Sequence, residues 1–228
     1  MSSPEFILAL DEGSSSARAV VVDAGGTIVA EQRRPVVATF PRPSWVALDP
    51  YALWQAQQQA MIAAVAEAGI TADDIAAIGI TTHRESCLIW DREKLCHHFG
   101  IPTELLPPAL ASDAHFGDVV PAEVGLPGTR AIPVRAVMAD QQAGMFGQGC
   151  FTPGSTKNTY GTAGVLTGNA GATPTVPAGL TGSVGWTVGG VTAYEVEGVV
   201  FHCGQTLQWM RDRLGLLGDA VDIESVSS

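Results

Sequence analysis

The sequence is poor in basic residues. Its 228 residues include 12 lysines and arginines but 23 aspartates and glutamates, which gives a formal net charge of −11 at pH 7. Nucleic-acid backbones and anionic membrane surfaces both attract positive charge. We therefore expect neither a nucleic acid nor a membrane as a partner of this chain.

Long apolar runs and paired cysteines are also missing, and we expect no leader sequence. No apolar stretch approaches the roughly 20 residues of a membrane-spanning helix. The first residues, MSSPEFILAL, lack the basic segment of a secretory signal. The four cysteines, at positions 87, 96, 150 and 203, are widely spaced and form no C-x-x-C pair. We therefore expect free thiols in the reducing cytoplasm.

What the sequence has instead is a turn-rich globular composition. Hydrophobic residues make up 46% of the chain, which also contains 26 glycines and 14 prolines. This balance differs from the polar, highly charged composition of disordered chains. The length allows one large domain or two small ones.

The first part of the chain alternates apolar strands with glycine-rich turns. A helix is predicted over Pro50–Ala68, because Asp49 suits its N-cap and Gly69 suits its end. Strands are predicted over 6–11, 17–23, 27–34, 75–83 and 86–90. Two short connections in a row predict an antiparallel meander of the first three strands. Three strands, a helix and a strand are typical of the opening of a ribonuclease-H-like (actin-like) α/β fold, with a mixed sheet and flanking helices.

The later part of the chain has weaker signals. Residues 92–127 show no clear period and are predicted to form a connector. Strands are then predicted over 131–139, 156–160, 163–167, 181–188 and 191–196, with helices over 140–148 and 198–214. The second half therefore repeats the theme of strands followed by a helix, without a repeat in the sequence.

The stretch LDEGSSSARAVVVD, residues 10–23, places polar side chains between two apolar runs. Serine hydroxyls and backbone N–H groups in a tight turn can hold phosphate oxygens. Asp11 can hold Mg²⁺ directly or through water, and Arg18 adds a positive charge. An ordinary hairpin turn, whose Asp and Ser side chains bond their own backbone, explains the same residues. No G-x-x-x-x-G-K-[ST] phosphate loop is present, so this stretch alone does not separate the two readings.

Charged residues also follow two later apolar strands. A guanidinium and a carboxylate at Arg84 and Glu85 can bond the hydroxyls of a polar substrate, although a surface ion pair is the alternative. Asp140 lies between an apolar strand and a helix, where it can serve as an N-cap, as a general base toward a substrate hydroxyl, or as both. Because a helix N-terminus stabilises the anion, such a base acts more by positioning the nucleophile than by its basicity.

A second glycine- and threonine-bearing turn occurs in KNTYGTAG, residues 157–164. Its chemistry is like that of the first loop, so the two together suggest two contacts to one polyphosphate.

A zinc site at Cys96, His97, His98 and His115 is disfavoured, because their spacing matches no zinc pattern.

Taken in chain order, these motifs resemble those of the FGGY carbohydrate kinases, and among them the glycerol kinases. The resemblance rests on LDEGSSSARAVVVD, RPSWVALDPYALW, IAAIGITTHRE, IWD, IPTELLP, ADQQAGMFGQ, KNTYGTAG and EGVVFHCGQTLQWMRD. Several long motifs in the right order, over residues 6–217, are far more specific than any one of them. The resemblance implies an enzyme that uses ATP and Mg²⁺ to phosphorylate a hydroxyl of glycerol or of a related polyol or sugar.

The resemblance also implies roles for individual residues. Asp11 corresponds to the metal-associated carboxylate. Asp140 corresponds to the catalytic base, with Gln141 beside it on the substrate. Arg84 and Glu85 correspond to the pair that binds polyol hydroxyls. The implied nucleotide contacts are Ser14, Ser15, Ser16, Arg18, Thr162, Gly204 and Gln208.

The chain also departs from the family pattern. A long block of the sugar-binding domain is missing after IWDREK, and the C-terminal adenosine motif is missing as well. Val165 replaces a phenylalanine that contacts glycerol, and Glu12 and His83 each replace a glutamine. The resulting division is the N-terminal part of the first actin-like domain (1–91), a connector across the deleted block (92–130), and the end of that domain with the start of a truncated nucleotide-side domain (131–228).

Two functions remain open at this point. The chain is either an abbreviated polyol or sugar kinase or a catalytically inactive remnant with at most weak nucleotide binding. Glycerol kinases commonly self-associate, so a homo-oligomer is a further option.

Overall fold

The computed structural model describes residues 5–39, 42, 47–83, 108–161 and 163–216. The chain divides into two compact units, Met1–Asp140 and Gln141–Ser228. The predicted segments 1–91, 92–130 and 131–228 divide the chain more finely than these units and stay a prediction. Among the described residues, no helix combines the length and the apolar character that a membrane span requires.

The first unit is built on a six-stranded sheet. Its strands are β1 (Phe6–Glu12), β2 (Ser16–Asp23), β3 (Ile28–Pro35), β4 (Ile75–Thr82), β5 (Gly117–Val119) and β6 (Ile132–Ala139). Their order across the sheet is β3-β2-β1-β4-β6-β5. The first three strands form the predicted antiparallel meander, whereas β4 and β6 run parallel to β1. Parallel neighbours need a crossover, which the helix between β3 and β4 supplies.

Helix α1 (Pro50–Ala68) begins and ends at the predicted residues. The Asp49 carboxylate accepts a hydrogen bond from the Tyr51 N–H at 2.9 Å, and Gly69 ends the helix in the left-handed conformation at φ 68°. The helix packs on β1, β2 and β3. Its alanine-rich face closes the core of this unit over buried side chains that include Leu8, Val21, Ile75, Ile78 and Ile132.

The described part of the predicted connector contains regular structure. Strand β5 pairs antiparallel with β6, and helix α2 (Pro121–Val124) follows it. The sequence predicts a connector over 92–127 without naming a strand or helix in it, and the structure adds these two elements to its described part. The strand consists of three residues, Gly-Asp-Val, which is too short to show an alternating pattern in the sequence.

The second unit contains a four-stranded antiparallel sheet and two helices. Its elements are α3 (Asp140–Gly147), β7 (Thr156–Tyr160), β8 (Gly164–Gly171), β9 (Thr181–Val188), β10 (Val191–Val200) and α4 (Gly204–Asp212). The strand order is β7-β8-β10-β9. Helix α3 starts at Asp140, the last residue of the first unit, and its other residues belong to the second.

The last helix is shorter than predicted. The sequence predicts a helix over 198–214, but the structure continues β10 to Val200 and begins α4 at Gly204. Val199 pairs with Val165, and Val200 pairs with Gly164. Because β-branched side chains favour strands, the ladder with β8 takes these residues from the helix.

Candidate functional site

One edge of the first sheet brings two predicted site residues together. Strands β1, β4 and β6 are parallel neighbours, and Asp11 is aligned with Thr81, which is aligned with Met138. Asp140 follows directly after β6. Both carboxylates therefore lie at the C-terminal edge of these strands, with one strand between them. Strand spacing puts their backbones about 10 Å apart.

The charge on Asp11 is poorly compensated. Its burial raises its pKa above the ordinary value of 3.8; the neighbouring Arg18 opposes this and the charge of Asp140 adds to it. The Arg18 guanidinium lies 3.6 Å from the Asp11 carboxylate and 3.1 Å from that of Glu31, so its charge is shared. A bound cation would stabilise the ionised form of Asp11.

Thr81 belongs to the motif IAAIGITTHRE, but the sequence pattern predicts no role for it at this edge. Residues aligned across neighbouring strands place their side chains on the same face, so Thr81 lies beside Asp11. Its hydroxyl is buried and has no hydrogen-bond partner among the described residues. Carboxylate and hydroxyl oxygens are the ligands that Mg²⁺ prefers. The residues at this edge therefore fit a magnesium ion, with the Asp11 carboxylate as its ligand.

The serine loop connects β1 to β2 and adjoins Asp11. The Gly13 N–H donates to the Ser16 carbonyl at 3.0 Å, and a Cβ at Gly13 would lie 3.0 Å from the same oxygen. The turn therefore needs glycine. Ser14 and Ser15 are exposed, while the Ser16 hydroxyl accepts a hydrogen bond from Arg33 at 2.7 Å. Arg33 is a second cation at this loop, and it was not among the residues predicted from the sequence.

Gln141 lies in the second unit, in the first turn of α3. Its side-chain oxygen accepts hydrogen bonds from the Lys157 ammonium at 2.6 Å and from the Thr159 hydroxyl at 2.9 Å. The pattern of residues 157–164 predicts a phosphate-binding turn, but it predicts no individual role for these two residues of β7. No local pattern could have identified them, because their partner is 16 and 18 residues away.

Gly204 is the first residue of α4, and its N–H donates to the Gly161 carbonyl at 2.9 Å. The start of this helix therefore contacts the turn between β7 and β8. Three predicted residues, Arg84, Glu85 and Thr162, lie outside the described residues, as does the side chain of Gln208.

The alternative zinc residues receive no support from the structure. His115 pairs with Asp118 at 3.1 Å, and positions 96–98 lie outside the described residues. Within the described ranges, no three His, Cys, Asp or Glu side chains cluster in the way that a protein-held zinc ion requires. Cys150 and Cys203 are free thiols.

Sequence comparison identifies the family. The N-terminal domain of the FGGY family of carbohydrate kinases matches residues 6–95. A glycerol kinase of Bordetella pertussis is 30% identical, and the alignment covers 100% of this chain and 66% of the relative. The chain belongs to the FGGY family of carbohydrate kinases. Glycerol kinase 2 of Streptomyces coelicolor is 27% identical, with 97% and 65% covered.

The aligned region is longer in the relatives than in this chain. The alignment with the Bordetella pertussis protein extends over 342 positions, although this chain has 228 residues. The relative therefore carries residues, inside the aligned span, that this FGGY protein lacks. The chain spans about two thirds of the length of these curated relatives.

Solved structures confirm the predicted fold class. Plasmodium falciparum glycerol kinase with ADP matches with a TM-score of 0.82 at 18% identity, covering 95% of this chain and 65% of that one. Xylulose kinase from Rhodospirillum rubrum matches with a TM-score of 0.74 at 18% identity, covering 97% and 65%. At these identities the likeness shows the fold alone, which is a partial actin-like α/β fold with a mixed sheet and flanking helices.

Proposed function

We propose that this FGGY protein is an ATP-dependent phosphotransferase that acts on a hydroxyl of glycerol or of a related polyol or sugar. The observation that carries the proposal is the sheet edge where Asp11 and Asp140 lie together beside the serine loop. Phosphoryl transfer depends mainly on positioning and on charge stabilisation, and this edge offers groups for both.

The serine loop is the proposed site for the nucleotide phosphates. The exposed side chains of Ser14 and Ser15 lie on the turn, and Arg18 follows in β2, where it pairs with the carboxylate of Asp11. Magnesium held by Asp11 supplies positive charge to the phosphates. The family resemblance adds Ser16, Thr162, Gly204 and Gln208 as nucleotide contacts.

Asp140 is the proposed general base. A carboxylate oxygen of Asp140 accepts the proton of the substrate hydroxyl. As this proton leaves, the hydroxyl oxygen attacks the γ-phosphorus of ATP, and the bond between this phosphorus and ADP breaks. Its place at the start of α3 stabilises the anion, so its main contribution is to orient the hydroxyl. Arg84, Glu85 and Gln141 are proposed to bind the other hydroxyls of the polyol.

A second candidate function follows from the shortened aligned region. The curated relatives carry residues that this chain lacks, so the chain is alternatively a catalytically inactive remnant with at most weak nucleotide binding. A small-molecule polyol or sugar stays the proposed partner of the active form, and self-association stays a prediction.

An ADP-release assay with a panel of polyols and sugars separates the two candidates. The variant Asp140→Asn removes the base but keeps a polar side chain of the same size in the first turn of α3, and we expect it to lose about 100-fold or more of the turnover. Asp49→Asn makes the same exchange at the N-cap of α1 and is the matched control. Equal turnover in the Asp140 variant would contradict the role of Asp140, and absence of turnover in the unmodified chain would favour the remnant.

A further inference from the structure

A buried lysine lies beneath the first turns of α3. Lys157 is only 5% exposed, and it lies on β7 in a row that continues through Thr167 on β8 to Glu197 on β10. Lysine is seldom buried, because its charge loses the stabilisation of water unless polar groups replace it. A residue of this kind at this position therefore needs an explanation beyond packing.

Two hydrogen bonds of Lys157 reach one residue of the proposed substrate site. Its ammonium donates to the backbone carbonyl of Gln141 at 3.3 Å and to its side-chain oxygen at 2.6 Å. The Thr159 hydroxyl, on the same face of β7, donates to the same side-chain oxygen at 2.9 Å. Two donors therefore occupy the acceptor end of the Gln141 amide.

The chemistry of lysine fixes the orientation of this amide. An ammonium group has three donors and no acceptor, so only the oxygen end of Gln141 can face it. The reversed amide would direct its N–H groups at the ammonium. With its oxygen end held by these two donors, the amide directs its N–H end away from Lys157.

Gly144 provides the space that the lysine side chain occupies. A Cβ at Gly144 would lie 3.0 Å from the Lys157 ammonium nitrogen and 3.3 Å from the carbon that carries it. Gly147, on the same helix, has nothing within 4 Å of its corresponding position. The two glycines therefore form a matched pair for mutation, of which only one crowds the lysine.

We propose that Lys157, together with Thr159, is a positioning residue that orients Gln141 so that its amide donates to an acceptor oxygen of the polyol. This inference rests on the proposed function. It adds that the substrate group at Gln141 is recognised through its lone pairs, so a hydroxyl, carbonyl or carboxylate oxygen fits there and an ammonium group does not.

The first experiment measures the orientation without any need for turnover. The side-chain amide signal of Gln141 in a ¹⁵N NMR spectrum is assigned by its loss in Gln141→Ala. We expect Lys157→Met and Gly144→Ala to shift this signal beyond its line width, and Gly147→Ala to leave it in place. Circular dichroism and thermal melting check that each variant is folded. An unmoved signal in folded Lys157→Met, or equal shifts in the two glycine variants, would overturn the proposal.

The second experiment measures KM for the polyol and for ATP in the same variants. Loss of the oriented amide is expected to raise the polyol KM about 10-fold while the ATP KM stays constant. A merely structural role would lower kcat through a smaller active fraction and leave both KM values unchanged. If the unmodified chain shows no turnover, the proposed function fails, and the amide signal still decides the role of Lys157.

Discussion

At the scale of single residues, the fold disfavours the charged form of Asp11. Burial and the neighbouring Asp140 raise its pKa more than Arg18 lowers it. The folded chain therefore binds a proton at Asp11 more tightly than the unfolded chain does. The stability that this brings is present below the ordinary value of 3.8 and is lost as the pH rises through the raised pKa. A carboxylate that costs stability at neutral pH is a common feature of binding sites.

The variant Asp11→Asn tests this cost directly. It removes the ionisable group, so we expect the free energy of unfolding without Mg²⁺ to exceed that of the unmodified chain at about pH 7. The difference should shrink as the pH falls toward about 4, which urea unfolding over this range measures. Asp23→Asn is the control, because Asp23 accepts backbone N–H bonds from Gly25 and Thr27 that an asparagine oxygen can also accept. A difference that does not change with pH would contradict the expected cost.

The predictability of a site residue depends on where its partners lie in the sequence. Asp11 and the serines of its loop are neighbours in the chain, so their local pattern raises a phosphate loop as one interpretation beside an ordinary hairpin turn. The role of Thr81 depends on its alignment with Asp11, 70 residues earlier, across a parallel pair of strands. Lys157 likewise depends on a helix residue outside its own strand. No local pattern carries information of this kind.

At the scale of elements, the same distinction separates α1 from α4. The N-cap Asp49 and the C-terminal Gly69 specify α1 locally, and both of its ends are predicted correctly. The start of α4 is decided by the last pairs of β10 with β8. In these pairs Val199 and Val200 each meet a residue more than 30 positions earlier in the chain. The sheet order β3-β2-β1-β4-β6 is predictable for its first three strands, because their connections are short. The placement of β5 follows from tertiary contacts alone.

The end of α1 gives a prediction at this scale. Gly69 has φ 68°, and a Cβ there would meet nothing within 4 Å. Gly69→Ala should therefore cost only the strain of the left-handed backbone, about 1 kcal/mol of unfolding free energy. Gly79→Ala is the control in β4, since Gly79 is not in the left-handed region and its added Cβ meets only the Ala136 Cβ at 4.0 Å. Urea unfolding measures both, and an equal loss in the two variants would contradict the role of the glycine cap.

At the scale of the whole molecule, the implied site residues divide between the two units. The first unit holds Asp11 as the proposed metal ligand, the serine loop and Asp140, and the second holds Gln141, Gly204 and the lysine proposed to position Gln141. The second unit also buries polar groups of its own, since Glu195 accepts hydrogen bonds from Gln142 at 2.5 Å and from Ser183 at 2.7 Å. These hydrogen bonds lie within the second unit itself. They can therefore help to hold its site residues in place without the residues that the longer relatives add.

Nucleotide binding to the full chain is the last prediction, and it distinguishes a kinase from an inert remnant. Saturation at about 100 times the dissociation constant stabilises a protein by about 2.7 kcal/mol, which corresponds to a rise in Tm of roughly 5–10 °C for a chain of this size. We expect Mg²⁺ and ATP to produce such a rise in the unmodified chain and in Asp23→Asn. In Asp11→Asn the rise should be much smaller, because the variant lacks the carboxylate that holds the metal. A rise of the same size in Asp11→Asn would place the metal elsewhere, and no rise in any variant would mean that the serine loop is an ordinary turn.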